Sequence, residues 1–442
     1  MVLGLVSINS YSIADTYFVG QLGTLPLAAM GFTFPVAFTL MAFGLGVGIG
    51  TSSVLSRLLG TGEIDRVQRI TTHALILGLF LGLVVTIVGL ATIEPVFKAL
   101  GADELTLPLI REYMEVYYLG GFLVILPMVG NFAMRAAGDA RIPALILTIA
   151  ALINIILDPL LIFGLLGFPR LELQGAALAT VISNGLTVVA SVAFLRWREH
   201  LIRARYLSFE KLLDSWRTVL HVAIPAIASN VLSPITIGVI TSFVAVFGPA
   251  AVAGFGVASR IESLVMIVIF AVTSSVGPFT GQNFGAGRLD RVHRFAWLSE
   301  RFCVAYTLGA AVILLLVARP LVAIFDSNAD VISTATIYLA IVPFSLSGFG
   351  VMLTAVAVFN ALGKPMPAMT MTFVKLFLIY IPLAWLLARS FGLMGIFAAN
   401  AAAHLAFGVV GFVLLRRMLA TLAAARDEEG EHAEGLTTGR LI

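Results

Sequence analysis

The chain has very little of what most catalysts and secreted proteins are built from. Of 442 residues one is cysteine and six are histidine. Cys303 alone cannot form an internal disulfide or a thiolate metal site. The histidines show no H-E-x-x-H or other ligand spacing, and none falls beside Asp15 or Asp158. Charged residues make up only 12%. Segments of alternating polarity, the signature of a transmembrane barrel, are missing, so helices are the remaining way to cross a bilayer. The first apolar run starts at Met1 without a cationic stretch before it, unlike a signal peptide.

What the chain does have is apolar length. It is 60% hydrophobic with a mean hydropathy of +1.03, more than a soluble core requires. A helix needs about 20 apolar residues to cross the hydrocarbon layer. Such runs are expected at 1–20, 27–55, 70–93, 112–135, 143–166, 174–195, 219–245, 250–280, 296–317, 333–361, 367–388 and 394–416. The fold class is therefore all-α and polytopic, with twelve transmembrane helices.

These twelve are two copies of six. Gly-Thr-Gly-Glu-Ile-Asp-Arg-Val-Gln-Arg at 60–69 returns as Gly-Ala-Gly-Arg-Leu-Asp-Arg-Val-His-Arg at 285–294, a shift of 225 positions. The same shift pairs Phe18 with Phe243, Gly23 with Gly248, Ala28 with Ala253, Gly31 with Gly256, Met41 with Met266 and Gly138 with Gly363. A constant offset over half the chain marks an internal duplication. Six is even, so the repeats run parallel, related by an axis along the membrane normal. The expected organisation is a lobe at 1–195, a basic linker at 196–218, a second lobe at 219–417 and a disordered polar tail at 418–442. Under this offset Pro225 maps to position 0, and the first helix is expected to lack the cytoplasmic turns of its twin.

Arginine and lysine gather in the loops after even-numbered helices, from Arg57, Arg66 and Arg69 to Arg416 and Arg417. By the positive-inside rule both termini are cytoplasmic, in the inner membrane of a bacterium or archaeon. The net charge of +3 follows from this bias and gives no reason to invoke nucleic acid.

Ionisable groups at membrane depth are functional candidates by default. Asp15 and Asp158 each lie eight or nine residues before an outer glycine turn, Gly23 and Gly167, at a common depth of roughly 12–14 Å. Tyr11 and Asn154 precede them by one helical turn, and Thr180 and Asn131 could add oxygens. Hard oxygen donors suit a proton or alkali cation better than a transition metal. Desolvation and repulsion disfavour two charged carboxylates together, which is how a membrane site becomes a proton carrier. The alternative is that Asp158 merely ties helices together. In the second copy these acids face Ile240 and Ile381.

A second set, Arg260, Glu262 and Lys375, falls in the other lobe, where Glu262 and Lys375 could meet as a buried pair that sets helix registry. Gly44, Gly46, Gly48 and Gly50 alternate, which reads as close helix packing rather than a nucleotide loop. Met41, Phe38 and Met266 are candidates for lining an adaptable cavity.

Several motifs, in order, resemble the multidrug and toxin extrusion (MATE) transporters. They are Asp-Thr-Tyr-Phe-Val-Gly-Gln-Leu-Gly from Asp15, Arg-Ala-Ala-Gly-Asp-Ala-Arg-Ile-Pro from Arg135, Asn-Ile-Ile-Leu-Asp-Pro-Leu from Asn154, Gly-Ala-Ala-Leu-Ala-Thr from Gly175 and Gly-Gln-Asn-Phe-Gly-Ala-Gly from Gly281. The likeness covers all but the tail and is nearest the DinF-like branch. It implies coupling residues in the first lobe, at Asp15, Asp158, Asn154, Thr180, Asn131 and Tyr11. The NorM-type branch has added acids in helices 7 and 10. This chain has none from Ala223 to Phe247 or from Tyr338 to Leu362. DinF-like members also carry a helix 1 proline at the place numbered 0 here, associated with bending of that helix.

The expected function is secondary active efflux of small amphiphilic or cationic drugs or metabolites by a monomer surrounded by membrane lipid. It is coupled by alternating access to a proton, with no resident cofactor and no metal. Sodium is the other possible coupling ion, since it uses the same ligands. The rival reading is a flippase for a lipid-linked saccharide or other amphiphile, which needs more cavity cations than Arg260 and Lys375 provide. An intramembrane enzyme needs a metal motif or Ser/His pair at membrane depth, and the sequence shows no such motif.

Overall fold

A computed structural model describes the backbone of residues 1–206 and 211–438. Linker positions 207–210 and the terminal 439–442 lie outside the described residues, as do the side chains of 8, 9, 204 and 426–438. The helices are α1 Val2–Gly20, α2 Thr24–Thr61, α3 Ile64–Ala99, α4 Thr106–Leu119, α5 Phe122–Ala136, α6 Arg141–Phe163, α7 Glu172–Trp197, α8 Leu212–Ala245, α9 Pro249–Gly285, α10 Leu289–Ala323, α11 Ala329–Ala361, α12 Pro365–Phe373 and α13 Ile381–Thr438. A π-helical segment, Val374–Tyr380, joins the last two.

Among the described residues nine helices are long and apolar enough to cross a membrane, or ten when α4 and α5, bent by 46°, count as one crossing. Two more complete the expected twelve. One is α1, made more polar by Ser7, Ser10, Ser12, Asp15 and Thr16. The other comes from division of the last apolar stretch at Gly392, whose backbone leaves helical space at φ 58°, ψ −139°.

The duplication is visible in the backbone itself. Gly23 and Gly248, Gly62 and Gly287, and Gly138 and Gly363 are repeat partners, and all six hold a positive φ at a turn next to a helix end. A side chain would strain each of these turns, so both copies keep glycine there.

The α4–α5 break also has a physical cause. A Cβ on Gly82 would run into the backbone of Phe122, so glycine at 82 lets the α5 start come close to α3. The turn itself pairs the carbonyls at the Gly120–Gly121 break, with Tyr118, Gly120 and Gly121 accepting from the amides of Gly121, Leu123 and Val124 at 2.8, 2.8 and 3.1 Å. Thr86 adds a second donor to one of them, its hydroxyl reaching the Tyr118 carbonyl at 2.7 Å.

The alternating glycines of α2 resolve into two interleaved small-residue faces. A Cβ on Gly44 or Gly48 would press on Met128 or Phe132 of α5. One on Gly46 or Gly50 would meet α8, at 2.7 Å from the Ile227 nitrogen and 2.6 Å from the Val219 carbonyl oxygen. Each face is therefore an i, i+4 pair that admits a helix at close range.

This packing corrects the expected lobe boundary. The first compact unit comprises Met1–Ile235 and Gly277–Gln282, and the second comprises Thr236–Val276 and Asn283–Ile442. The divide thus falls inside α8 and α9, not in the linker. Gly46 and Gly50 seat the first turns of α8 against α2, and Gln282 donates to the Ala136 carbonyl at 2.7 Å. The linker is shorter than expected because α7 reaches Trp197 and α8 starts at Leu212. It is strapped to α3: Gln68 donates to the His200 carbonyl, Arg205 pairs with Asp65, and the His73 ring lies 3.0 Å from the Tyr206 carbonyl and 2.8 Å from Ser215 Oγ.

α13 runs on to Thr438. The run Leu422-Ala423-Ala424-Ala425 and the glutamates after it have high helix propensity and extend the helix beyond its apolar part.

Candidate functional site

The site lies in the first unit near the C-terminal ends of α1 and α6. Asp15 stands five residues before the end of α1 at Gly20, and Asp158 five before the end of α6 at Phe163. Each therefore stands the same number of residues from the end of its helix. Burial is deep for carboxylates, with Asp15 6% exposed and Asp158 0%. Pro159 directly follows Asp158 within α6 and removes one backbone donor from that turn.

Helix packing brings the acids together. α1 lies along α6, with Gly4 against Ala144 and Ser7 donating to Thr148 at 3.2 Å. Asp15 and Asp158 come within Coulombic reach of each other, and Tyr11 is within reach of both. On α6, Asn154 is 2% exposed and donates to Thr180 of α7 at 3.4 Å.

Among the described residues, four acceptor oxygens in this group have no hydrogen-bond donor: Asp15 Oδ1, both carboxylate oxygens of Asp158, and Asn154 Oδ1. Buried polar atoms are normally satisfied, and each exception costs about 1–3 kcal/mol. Oxygens that converge without donors can hold a cation or share a proton. Asn131 of α5 is also buried with both amide atoms unpartnered, and it hydrogen-bonds to neither acid.

The wall facing the acids was missed in the sequence. Tyr113 and Tyr117 of α4 are 6% and 7% exposed and stack at 5.9 Å. Tyr113 is within electrostatic reach of Asp15, Asp158 and Tyr11. The signal was present: two tyrosines one helical turn apart, seven residues into a membrane segment. Only packing shows that they face α1 and not lipid.

The second set does not behave as an ion pair. Among the described residues no carboxylate lies within ion-pair distance of Lys375 or Arg260. Arg260 is exposed on α9. Glu262 accepts instead from the Tyr338 hydroxyl, and Lys375 sits 3.8 Å from the centre of the Phe349 ring. The cavity candidates divide too. Phe38 is 50% exposed and Met41 half-buried on α2, whereas Met266 is buried in the second unit.

Comparison with known proteins settles the family. The MatE family model matches residues 1–160 and again 225–386, one match per repeat. The chain is a MATE transporter. It is 36% identical over 416 residues to the FAD transporter of Shewanella oneidensis, covering 94% of this chain and 92% of that one. It is 27% identical over 406 residues to the multidrug export protein MepA of Staphylococcus aureus, covering 90% and 87%. The Vibrio cholerae MATE transporter VcmN in the bent form superposes with a TM-score of 0.89 at 28% identity, covering 95% of each chain. A MOP superfamily transporter of Pyrococcus furiosus does so at 0.87 and 25% identity, covering 96% and 94%. Membership makes the chain a membrane transporter, not an enzyme, and the twelve-helix fold is that of the family.

Proposed function

We propose that this MATE transporter is a proton-coupled antiporter that exports small organic compounds by alternating access, with Asp15 and Asp158 as the coupling groups. It works from a prokaryotic cytoplasmic membrane with both termini inside. The single observation that carries this reading is the set of four buried acceptor oxygens without donors on α1 and α6. A structural tie would have its oxygens paired, whereas a carrier must leave them open to a proton or cation that comes and goes. A bound cation can bias two states only by its differential affinity for them, so the site must be open to one side at a time.

The test is efflux of a fluorescent organic cation from proteoliposomes under an imposed pH gradient, then under a sodium gradient at fixed pH. Proton-driven efflux that Asp15→Asn and Asp158→Asn each abolish is the expected result. Full activity in both variants would sink the assignment, and dependence on sodium alone would transfer the same oxygens to sodium.

A second reading concerns the cargo. The 36% identical relative is named an FAD transporter, which favours a flavin nucleotide as substrate. Flavin counterflow in the same liposomes, competed by unlabelled FAD and not by a cationic dye, would support it. A lipid-linked pyrophosphate cargo has less behind it, since Lys375 is 3% exposed and leaves Arg260 as the exposed cation of that set.

A further inference from the structure

The second unit lost the acids of the first but kept one of its tyrosines. Tyr338 of α11 is the repeat partner of Tyr113, again at 225 positions. Tyr113 stands beside Asp15 and Asp158, and Tyr338 is itself 4% exposed and donates to a carboxylate, that of Glu262 on α9. The same tyrosine position therefore serves an acid in each unit, although the acids arise from different helices.

Glu262 is not held the way a registry pair would be. Ser259 also bonds Tyr338, while Phe255 and Phe397 pack around the phenol at 5.7 and 5.0 Å. Lys375 is within electrostatic reach of Glu262 without contacting it. Its ammonium lies over the Phe349 ring, and the His404 imidazole stacks on that ring at 4.7 Å. Ser345 gives its own proton to the Val342 carbonyl at 2.6 Å, so at 3.1 Å it can only accept from His404 Nδ1. The imidazole proton is thus on Nδ1, leaving Nε2 as an acceptor. Lys375 and Tyr380 come from the π-helical segment, a widened turn that recurs at functional sites. α12 adds no charged side chain, and α10 adds Cys303 against Gly350 and Glu300, which is committed to Arg416 at 2.5 Å.

A carboxyl, an amine and an imidazole thus share one cluster, with Lys375 and His404 buried, Glu262 half-buried, and no contact ion pair among the described residues to fix where the protons sit. Groups coupled this closely bind protons as a set. We propose that the second unit holds its own proton-binding site, formed by Glu262, Lys375 and His404 with Tyr338 as the donor to Glu262, and that it binds a proton independently of Asp15 and Asp158. The site takes up one proton, which the cluster holds as the neutral carboxylic acid of Glu262 in its protonated form. The proposal does not rest on the first-unit reading and would survive its failure.

Infrared difference spectroscopy on the full-length protein, titrated with pH, tests it. In the Asp15→Asn/Asp158→Asn variant a protonated-carboxyl band should still titrate, and carbon-13 labelling of glutamate should move it. Glu262→Gln should abolish that band. Tyr338→Phe should shift its frequency because the carboxyl loses a hydrogen bond, a change that a purely packing role would not produce. Lys375→Met should displace its pH midpoint by about one unit or more, as loss of a neighbouring charge does. If Glu262→Gln fails to fold, the glutamate label and Tyr338→Phe decide. Absence of a glutamate-derived band in the aspartate-free variant overturns the proposal. So does a band that neither Glu262→Gln nor Tyr338→Phe alters.

Discussion

Replacing Asp158 by leucine should make the protein more stable while ending proton-driven transport. Both oxygens of this 0% exposed carboxylate lack donors. Each unpartnered buried polar atom costs about 1–3 kcal/mol, so deleting two returns roughly 2–6 kcal/mol to the folded state. Fitting a branched apolar side chain of similar size into the same space costs about 1–3 kcal/mol. Midpoint against midpoint, the net expectation is stabilisation by about 2 kcal/mol, in line with the general cost of functional sites to stability. The protein supplies its own reporter, since Cys303 is its only cysteine and is 0% exposed. A maleimide dye that fluoresces on reaction should therefore label it only on unfolding, and Asp158→Leu should delay labelling to a higher temperature. Transport in liposomes should meanwhile fall to background. If the carboxylate instead ties helices together, its removal costs about 1–3 kcal/mol and labelling moves to lower temperature. That outcome, with transport retained, would refute the reasoning.

Gly46→Val should lower stability by about 1–3 kcal/mol or block assembly, because its Cβ would sit 2.7 Å from the Ile227 nitrogen; the same labelling assay reports it. Thr86→Val removes the hydroxyl bonded to the Tyr118 carbonyl, which keeps the Gly121 amide at 2.8 Å, and should cost about 0.5–1.5 kcal/mol. Asp103 caps α4 outside the membrane, with Oδ1 accepting from Thr106 Oγ1 at 2.7 Å and from the Thr106 amide at 2.8 Å. The Thr106 side-chain bond first, and its backbone bond second, hold the Asp103 carboxyl below its ordinary range. A carboxyl lowered by folding stabilises above its unfolded value, so the cap is complete at neutral pH and lost only as pH falls through the folded value. Asp103→Ala should therefore speed hydrogen exchange at the start of α4 at pH 7, and the difference from the parent protein should shrink in strong acid.

The sequence carried the first-unit site to a large extent. Asp15 and Asp158 were placed at one depth by counting from glycine turns, and Asn154 and Thr180 were named as polar partners before any packing was known. Tyr113 and Tyr117 were not, because a tyrosine in an apolar segment faces lipid, core or cavity according to the rotation of its helix. Glu262 and Lys375 show the same limit more sharply. Their positions suggested a pair, yet Glu262 found Tyr338 and Lys375 found Phe349, and neither choice is encoded in the spacing along the chain.

Composition, periodicity and the 225-residue repeat were enough to determine an all-helical membrane protein of twelve crossings, because a bilayer admits only helices or closed barrels and the alternating polarity of a barrel is missing. The paired left-handed glycines were likewise settled by residue type, since few other residues tolerate that backbone. Tertiary structure alone decided where one unit ends and the other begins. That border depends on which helix the bare faces of Gly46 and Gly50 admit, a contact between α2 and α8 some 170–180 residues apart in the chain. It also decided which buried charges remain without partners, because burial and pairing depend on the rotation of each helix against its neighbours.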